Sequence, residues 1–409
     1  MQRQNKAFVG LDIGTNSVRC MIGIDEESSD KIQIIGVGVH ESEGVRRGSV
    51  INVEEVIEPI TKAVDEAERT SGYTIESATV GINGNHIESQ HSKGVIAVTG
   101  GSNRTIDEAD VERVEEAASV VQMPPNREII HVFARSYSLD GQSNIQNPLG
   151  MTGVRLEAET LLVSASTPAL KNTQKALAHV GLALNDQFIN GIAAAHVGLA
   201  KKQQETGTVL IDIGHSTTGV MVFEEKEPLY FAVVPVGSSH ITNDLAIGLQ
   251  VDLTTAERIK VEYEKIATKL NKQSAVINDS KGNEVKFRPT LVRDIIEART
   301  EEIFEAVNKK LMTVGKVGDL PGGVVLAGGG ANMYGIVDVC KSTMKLPVET
   351  VTLNTYGGIT DNVGGLEMAT VSGLMELDKL GAGVGKKNFK LNLSGGNSVL
   401  RTIFERFKP

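Results

Sequence analysis

The sequence predicts an α/β protein with two lobes, because one strand–turn–strand element occurs in it twice. The copies read GLDIGTNSVRCMIG at 10–23 and LIDIGHSTTGVMVF at 210–223, and they align without gaps. A third element, VVLAGGGANMYGI at 324–336, is predicted to be a buried strand that runs into three glycines and then a helix. A chain of 409 residues is long enough to bury the two cores that such a duplication needs.

Each element of the first lobe follows from its local pattern. The helix from about 53 to 71 carries apolar residues at helical period, with Asn52 and Gly72 at its two ends. After residue 84 the pattern changes to short strands, a helix from about 106 to 122 and a double-proline stop, which indicates an inserted subdomain. The predicted core elements are strands at 7–13, 18–24, 32–39 and 78–82, a helix at 169–181 and a strand around 186–189.

The second lobe repeats this opening. A strand at 229–236 follows the second copy of the repeated element, and hydroxyl residues within 237–249 begin a helix. Residues 252–300 are charged and mostly helical, with a polar interruption at 271–289, which indicates a second inserted subdomain. The predicted domains are a first-lobe core (7–83, 163–205 and 366–380), its insert (84–162), a second-lobe core (206–240 and 305–365), its insert (241–304), a linker (381–397) and a terminal helix (398–409).

Each copy of the repeated element has the features of a phosphate-binding turn. An apolar strand ends in an aspartate, Asp12 or Asp212, and a turn of glycine and hydroxyl residues follows it. Consecutive backbone N–H groups in such a turn form an anion-binding concavity, and the aspartate is placed to hold a hydrated cation beside the anion. A plain hairpin with a Gly-rich turn would explain one copy. Two copies in matching context favour a clamp on a nucleotide phosphate chain and its Mg²⁺.

The composition excludes several classes of function. The formal charge of −10 argues against general nucleic-acid binding. The two cysteines, Cys20 and Cys340, fit a reducing compartment. No apolar run is long enough to span a bilayer, and the N-terminus lacks a signal-peptide core, so we expect a cytosolic protein.

The last twelve residues, SVLRTIFERFKP, have an amphipathic helical pattern. A Gly- and Lys-rich linker precedes them. A helix docked on the protein's own core is one interpretation, but the linker and the basic flank favour binding to a membrane surface. The apolar face consists of Val399, Leu400, Ile403, Phe404 and Phe407, and the basic residues beside it are Arg401, Arg406 and Lys408.

The two lobes, the paired Asp-Ile-Gly turns and the late glycine element resemble the actin, Hsp70 and sugar-kinase superfamily, whose lobes have a duplicated ribonuclease-H-like fold. Four further motifs resemble the bacterial cell-division family FtsA and run in that family's order. They are EIIHVFARSYSLDGQ at 128–142, NPLGMTGVRLEAE at 147–159, VPVGSSHITNDLAIGL at 234–249 and DIIEARTEEIF at 294–304.

The resemblance implies an actin-like, ATP- and Mg²⁺-binding protein that polymerises at the division site, on the cytoplasmic face of the cell membrane. FtsA proteins tether the FtsZ ring through a C-terminal amphipathic helix and help to recruit and activate the septal machinery. The implied partners are therefore the C-terminal peptide of FtsZ, further copies of the chain, anionic lipids and downstream division proteins.

The resemblance also assigns roles to individual residues. Asp12 and Asp212 would hold the metal, and Arg299 would pair with a carboxylate of the FtsZ peptide. Arg299 could instead form only an ion pair with Glu302. Glu257 and Lys260, which the resemblance places at the nucleotide, could instead lie on a solvated helix face. The nucleotide-binding set comprises Gly14, Thr15, Asn16, Ser17, Gly214, Ser216, Thr217, Thr218 and Gly237 for the phosphates, Glu257 and Lys260 beside ribose and adenine, and Gly328, Gly329 and Gly330 against the adenosine.

The chain departs from the family pattern at several site positions. The second turn, usually D-I-G-G-G-T-T-D, here has His215, Ser216 and Gly219, and the first turn has Ser17 where lysine is frequent. The family's Gln-Glu pair after the H-V strand is replaced by Arg135-Ser136. These changes predict ATP binding with slow hydrolysis at most, and they leave the catalytic residue unassigned.

Two alternatives use the same scaffold. A chaperone would need a substrate-binding domain after residue 380, where about 30 residues remain, and a sugar kinase would need a catalytic carboxylate that the sequence does not show. An FtsA-like pilus assembly protein would share the nucleotide turns but lack the terminal amphipathic helix. The tail therefore distinguishes the pilus protein from the division protein.

Overall fold

The computed structural model describes residues 7–26, 31–98, 104–268, 274–353, 356–359 and 363–383. The strands in chain order are β1 (Ala7–Ile13), β2 (Ser17–Ile24), β3 (Gln33–Glu41), β4 (Val45–Arg46), β5 (Ser49–Val50), β6 (Ser77–Ile82), β7 (Glu88–Ala97), β8 (Arg127–Leu139), β9 (Gln142–Ile145), β10 (Arg155–Ser166), β11 (Ala183–Ile189), β12 (Thr208–Ile213), β13 (Thr218–Glu224), β14 (Glu227–Val234), β15 (Ala275–Asn278), β16 (Glu284–Phe287), β17 (Val324–Ala327), β18 (Val348–Thr350) and β19 (Gly357–Gly358). The helices are α1 (Val53–Ser71), α2 (Glu108–Ser119), α3 (Thr167–Val180), α4 (Asn190–Gly198), α5 (Lys201–Thr206), α6 (Ser238–Leu249), α7 (Leu253–Val261), α8 (Tyr263–Ala267), α9 (Pro289–Met312), α10 (Ile336–Met344) and α11 (Ala369–Gly383).

The two largest sheets have the same plan. In the first, β1, β2 and β3 form an antiparallel meander, and β6 and β11 continue the sheet in parallel from β1. In the second, β12, β13 and β14 form the meander, and β17 and β18 continue it in parallel from β12. The duplication that the repeated turn predicts therefore extends through both sheets.

Helix α1 has the bounds that the sequence predicts. The Asn52 side chain accepts a hydrogen bond from the backbone N–H of Glu54 at 3.1 Å, and the N–H of Gly72 closes the last turn on Glu68. Capping residues of this kind satisfy backbone groups that a helix end leaves unpaired. The buried face is built from Val56, Pro59, Ile60, Ala63, Val64 and Ala67.

The first inserted subdomain is a four-stranded antiparallel sheet in the order β7–β10–β8–β9, with α2 packed against it. Three of its strands are longer than the short strands predicted, since β7 has 10 residues, β8 has 13 and β10 has 12, while β9 has 4. Strand β10 pairs with β7 and β8 on its two sides, so it stays continuous past residue 163 and leads directly into α3.

The second inserted subdomain shares a helix with its lobe. The polar stretch predicted at 271–289 contains the β15–β16 hairpin, and α9 begins at Pro289. Val292 and Ile296 near the start of α9 pack in the core of the insert, whereas Phe304 and Val307 pack in the core of the lobe. One helix of 24 residues thereby joins the two cores.

Helix α11 packs against β1 and α4 in the first lobe. The approach to α4 is so close that a side-chain carbon on Gly373 would overlap the carbonyl oxygen of Ala193. Within the described ranges, no helix is both long and apolar enough to cross a membrane.

Candidate functional site

The two repeated turns have the same internal hydrogen bond. The N–H of Gly14 donates to the carbonyl of Ser17 at 3.0 Å, and the N–H of Gly214 donates to that of Thr217 at 2.9 Å. Each turn joins the first two strands of its sheet, between β1 and β2 or between β12 and β13. The sequence repeat is therefore a repeat of local structure.

The two turns meet across the space between the lobes. The Ser216 hydroxyl donates a hydrogen bond of 3.0 Å to Oγ1 of Thr15, which lies 201 positions earlier. Asn16, beside Thr15, is exposed. The structure thus brings the two predicted phosphate turns into direct contact at one site.

Some of the predicted hydroxyl groups point into the protein. Ser17 and Thr217 are buried, and the Ser17 hydroxyl has no hydrogen-bond partner among the described residues. Thr218 is fully buried, and its hydroxyl donates to the carbonyl of Val236 at 2.8 Å, so this hydroxyl is used in packing within the lobe. These three residues would contribute to an anion site mainly through the turn geometry that they maintain.

The two aspartates lie close enough to influence each other's charge. Burial raises the pKa of Asp212 to about 6, and the negative charge of Asp12 adds to that shift, while Arg19 opposes it. Burial likewise raises the pKa of Asp12, against the Arg19 charge and a hydrogen bond from Asn190. Two facing carboxylates in a poorly solvated site provide the oxygen ligands that Mg²⁺ prefers. Among the described residues no cluster of three or more His, Cys, Asp or Glu side chains could enclose a metal, so water and phosphate oxygens would have to complete its shell.

The structure adds two residues that the sequence patterns did not identify. Asn190, the first residue of α4, donates from Nδ2 to Asp12 Oδ1 at 3.1 Å, and its own Oδ1 is buried without a partner in the described part of the chain. Arg19 lies directly across the β1–β2 ladder from Asp12, with 3.8 Å between its Nη1 and Oδ2 of Asp12. The position of Arg19 follows from the register of the β1–β2 hairpin, whereas that of Asn190 depends on how α4 packs.

Helix α6 begins on the second turn. Ser238 N–H donates to the carbonyl of Gly214 at 2.9 Å, and a side-chain carbon on Gly237 would lie 2.6 Å from that same oxygen. Gly237 is therefore needed for the helix to approach the turn. Gly237 would contribute to a phosphate site through this packing.

Glu257 and Lys260 lie beside the start of α6 and form a network there. Lys260 Nζ is 2.7 Å from Glu257 Oε2 and 3.0 Å from Thr242 Oγ1, and Thr242 also donates to Glu257 at 2.6 Å. The Lys260 side chain is only 10% exposed, which is not the environment of a solvated helix face. Burial and the Lys260 charge lower the pKa of His215 in the second turn, so its imidazole is neutral near pH 7.

The glycine triplet packs mainly against the second turn. A side-chain carbon on Gly328, whose φ is +84°, would overlap Asp212 Oδ1, and one on Gly330 would overlap the Ile213 side chain. Gly329 has no such close neighbour, since the nearest atom to a carbon there would be 3.7 Å away. The residues after Gly328 form a 3₁₀ turn, Gly329–Asn332, and the helix predicted to follow the glycines directly starts only at Ile336.

Arg299, which was predicted to bind the partner peptide, forms ion pairs within the protein. Its guanidinium forms a two-point contact with Asp244 of α6, at 2.5 and 3.0 Å, and a third contact with Glu302 at 2.6 Å. The ion pair with Glu302 is thus present, and the fork on Asp244 joins α9 to α6. The tail residues predicted to bind membrane, from Val399 to Lys408, lie outside the described residues.

Comparison with known proteins gives matches over the first inserted subdomain and over the second lobe. Residues 84–164 match the family model for the SHS2 domain inserted in FtsA, and residues 209–373 match the family model for cell division protein FtsA. The cell division protein FtsA of Pseudomonas aeruginosa is 34% identical over 91% of this chain and 89% of its own length.

Two solved structures are similar in fold. One is the PilM–PilN type IV pilus biogenesis complex, with a TM-score of 0.66 and 14% identity over 91% of this chain and 98% of the other. The second is MreB5 of Spiroplasma citri bound to ADP, with a TM-score of 0.52 and 14% identity over 96% of this chain and 99% of the other. At this level of identity the likeness concerns the fold alone. The two-lobed actin-like α/β fold predicted from the sequence is confirmed, with its terminal helix outside the described residues.

Proposed function

The chain belongs to the FtsA family of cell division proteins, and from this premise we propose that it is an ATP-binding filament protein that tethers the FtsZ ring to the membrane. The observation that carries the nucleotide part is the contact between the two phosphate turns through Thr15 and Ser216. Nucleotide binding also fits the solved MreB5 structure, which shares the fold and contains ADP.

In this proposal the phosphate chain lies between the turns, and Asp12 and Asp212 hold Mg²⁺ through its water ligands. The cation would neutralise phosphate charge and relieve the repulsion between the two carboxylates. Asn190 would keep Asp12 oriented through the 3.1 Å hydrogen bond, while its unpartnered Oδ1 is available to accept from a water molecule. The adenosine would lie beside Gly329, Glu257 and Lys260.

Hydrolysis would be slow, since both turn aspartates would be occupied with the hydrated Mg²⁺ and the other groups near the turns are weak bases or cannot act as bases. The Asn190 amide cannot take up a proton, and the lowered pKa of His215 makes its imidazole a poor base. We therefore place turnover below about 1 per second, the low end of typical enzymes.

We further propose that FtsZ binds at the second inserted subdomain. A carboxylate of the acidic FtsZ C-terminal peptide would compete with Asp244 or Glu302 for the Arg299 guanidinium, which is 28% exposed and so accessible from solvent. Arg299 already has two internal carboxylate partners, and the peptide carboxylate would only replace one of them. The contact with Arg299 should therefore contribute modestly to the affinity for the peptide.

Membrane attachment would come from the tail. Full burial of a Leu or Phe side chain yields roughly 1.5–3 kcal/mol, but an interfacial helix buries only one face. Each basic residue near anionic lipid adds about 1 kcal/mol. One short helix of this kind would bind weakly, and many tails on one filament would bind stably, because linked sites turn later binding events into local ones. Filament formation and membrane binding should therefore increase together, and the attached filament would present the surfaces that recruit downstream division proteins.

Co-sedimentation with anionic liposomes tests this function. The intact protein with ATP and Mg²⁺ should pellet with the liposomes and bring the FtsZ C-terminal peptide with it. A chain ending at Gly396 should remain in the supernatant while still binding the peptide. Equal pelleting of the truncated chain would contradict the role of the tail, and loss of peptide from an otherwise normal pellet would contradict the FtsZ assignment.

A further inference from the structure

A small hairpin lies between the first inserted subdomain and the first phosphate turn. It consists of β4 and β5, with Arg47 and Gly48 at its tip. Both tip residues have positive φ, 49° for Arg47 and 76° for Gly48, which is the geometry of a tight two-residue hairpin turn. The tip is therefore a defined structure rather than an open loop.

On its lobe side the hairpin contacts Thr15. The N–H of Gly48 donates to Thr15 Oγ1 at 2.9 Å, and this oxygen also accepts from the Ser216 hydroxyl at 3.0 Å. A hydroxyl oxygen has two lone pairs and one proton. The N–H of Gly48 can only donate, so it occupies one lone pair of the Thr15 oxygen and directs the hydroxyl proton away from the hairpin, toward an acceptor between the turns. A phosphate oxygen between the turns would be such an acceptor.

On its other side the hairpin contacts the start of the insert. Ser49 Oγ is 2.8 Å from His86 Nδ1. The two backbones also touch, because a side-chain carbon on Gly48 would lie 2.8 Å from the nitrogen of Gly84, and one on Gly84 would lie 2.6 Å from Ser49 Oγ. Burial and the nearby Arg127 charge lower the pKa of His86 to about 4, so the imidazole is neutral under physiological conditions.

We propose that His86 and Ser49 are positioning residues for nucleotide binding: they fix the hairpin tip so that Gly48 orients the Thr15 hydroxyl toward the phosphate chain. This inference rests on the proposed binding of ATP between the turns. It places the first turn of the insert in contact with the nucleotide site through three hydrogen bonds, between His86 and Ser49, between Gly48 and Thr15 and between Thr15 and Ser216. Coupling between two sites is reciprocal, so a protein whose binding shifts this turn of the insert would change ATP affinity, and ATP would change the affinity for that protein by the same factor.

A double-mutant cycle tests the link. ATP affinity would be measured by calorimetry in the full chain for wild type, His86→Ala, Thr15→Val and the double variant. Loss of one positioning hydrogen bond should weaken ATP binding by about threefold to tenfold. The same His86→Ala change should cost less than twofold when Thr15→Val is already present, because the group that it positions is gone. His86→Asn, whose side-chain amide can occupy the place of Nδ1, should restore most of the affinity.

The matched control is Ser89→Ala. Ser89 anchors the same insert to the second lobe, with its hydroxyl 2.6 Å from the carbonyl of Phe231, and it has no bond to the hairpin. Removal of the Ser89 hydroxyl should leave ATP affinity unchanged. If Ser89→Ala weakened ATP binding as much as His86→Ala does, general loosening of the insert would be the cause and the proposal would be overturned. Additive effects of His86→Ala and Thr15→Val would overturn it as well.

Hydrogen exchange separates this proposal from the nucleotide assignment itself. In the nucleotide-free protein the Gly48 amide should exchange faster in His86→Ala than in wild type, and it should be unchanged in Ser89→Ala. Unchanged Gly48 exchange in His86→Ala would refute the positioning link even if wild type binds ATP. A wild type that fails to bind ATP would refute the proposed function, and the exchange result would still report on the link between His86 and Gly48.

Discussion

Asp212 is a residue whose removal should stabilise the empty protein and abolish metal–nucleotide binding. Its pKa is raised from 3.8 to about 6, mainly by burial and next by the charge of Asp12. A carboxyl group with a raised pKa in the folded state favours folding while it is protonated. That contribution is complete below pH 4 and is lost as the pH rises through 6. At pH 7.5 the charged Asp212 therefore costs stability, and Asp212→Asn should recover it.

The size of the effect follows from the shift in pKa. Each pKa unit corresponds to about 1.4 kcal/mol, so the full shift would be worth about 3 kcal/mol. Asp212 keeps some contact with solvent, which screens its charge, and we expect a gain of roughly 1–3 kcal/mol. For a chain of this length that corresponds to a rise in Tm of roughly 1–4 °C. The gain should shrink as the pH is lowered toward 4, where wild-type Asp212 is itself protonated.

The assay is thermal unfolding at several pH values, with and without ATP and Mg²⁺. A ligand at 100 times its Kd stabilises wild type by about 2.7 kcal/mol, and Asp212→Asn should lose this ligand-dependent rise. Asp186→Asn is the matched control, because burial raises the pKa of Asp186 to about 7 on strand β11, outside the paired turns. It should also raise Tm at pH 7.5 but keep the ATP response. An Asp212→Asn variant that is less stable than wild type at pH 7.5, or whose Tm still rises with ATP and Mg²⁺, would refute this role of Asp212.

Three further substitutions, one of them with a matched control, have defined outcomes. Gly328→Ala would place a carbon onto the Asp212 carboxylate at a φ of +84°. We therefore expect a loss of stability of about 1–3 kcal/mol, seen as a lower Tm by calorimetry, together with weaker ATP binding. A wild-type Tm and a wild-type ATP affinity would contradict the packing described for the glycine triplet. Arg299→Glu removes the fork on Asp244 and should weaken FtsZ-peptide binding in fluorescence anisotropy. Asp244→Asn removes the charge of that internal partner but keeps Arg299 and its contact with Glu302, and it should not weaken binding. Undiminished binding in Arg299→Glu would leave Arg299 with a structural role only. Phe404→Glu should release the protein from anionic liposomes, most clearly at high salt, and full retention would argue against an interfacial helix.

The repeated turns could be predicted from sequence because their information is local. An apolar strand, an aspartate and a Gly-hydroxyl turn lie within fourteen residues, and the same hydrogen bond forms in both copies. The bounds of α1 were predictable for the same reason, since Asn52 and Gly72 act on the backbone beside them. Where a short segment determines its own geometry, pattern and structure agree.

The features that were missed depend on packing between distant segments. Asn190 reaches Asp12 only because α4 follows β11 in the same sheet as β1, 178 positions away in the chain. Gly328 was predicted from the sequence to lie close to a ligand, and the structure shows a second reason for glycine there, since a side-chain carbon would overlap the Asp212 carboxylate. The length of β10 likewise results from pairing on both of its sides.

The most direct test of the account is a calorimetric titration of ATP into the intact chain, in Mg²⁺ and in EDTA. Two facing carboxylates repel a phosphate chain unless a cation lies between them, so we predict one ATP per chain in Mg²⁺ and at least a tenfold loss of affinity in EDTA. Asp12→Ala should weaken binding in Mg²⁺, and Asp212→Ala should abolish it. Equal affinity in Mg²⁺ and EDTA, or wild-type affinity in both variants, would contradict the claim that the paired turns hold a metal–nucleotide complex.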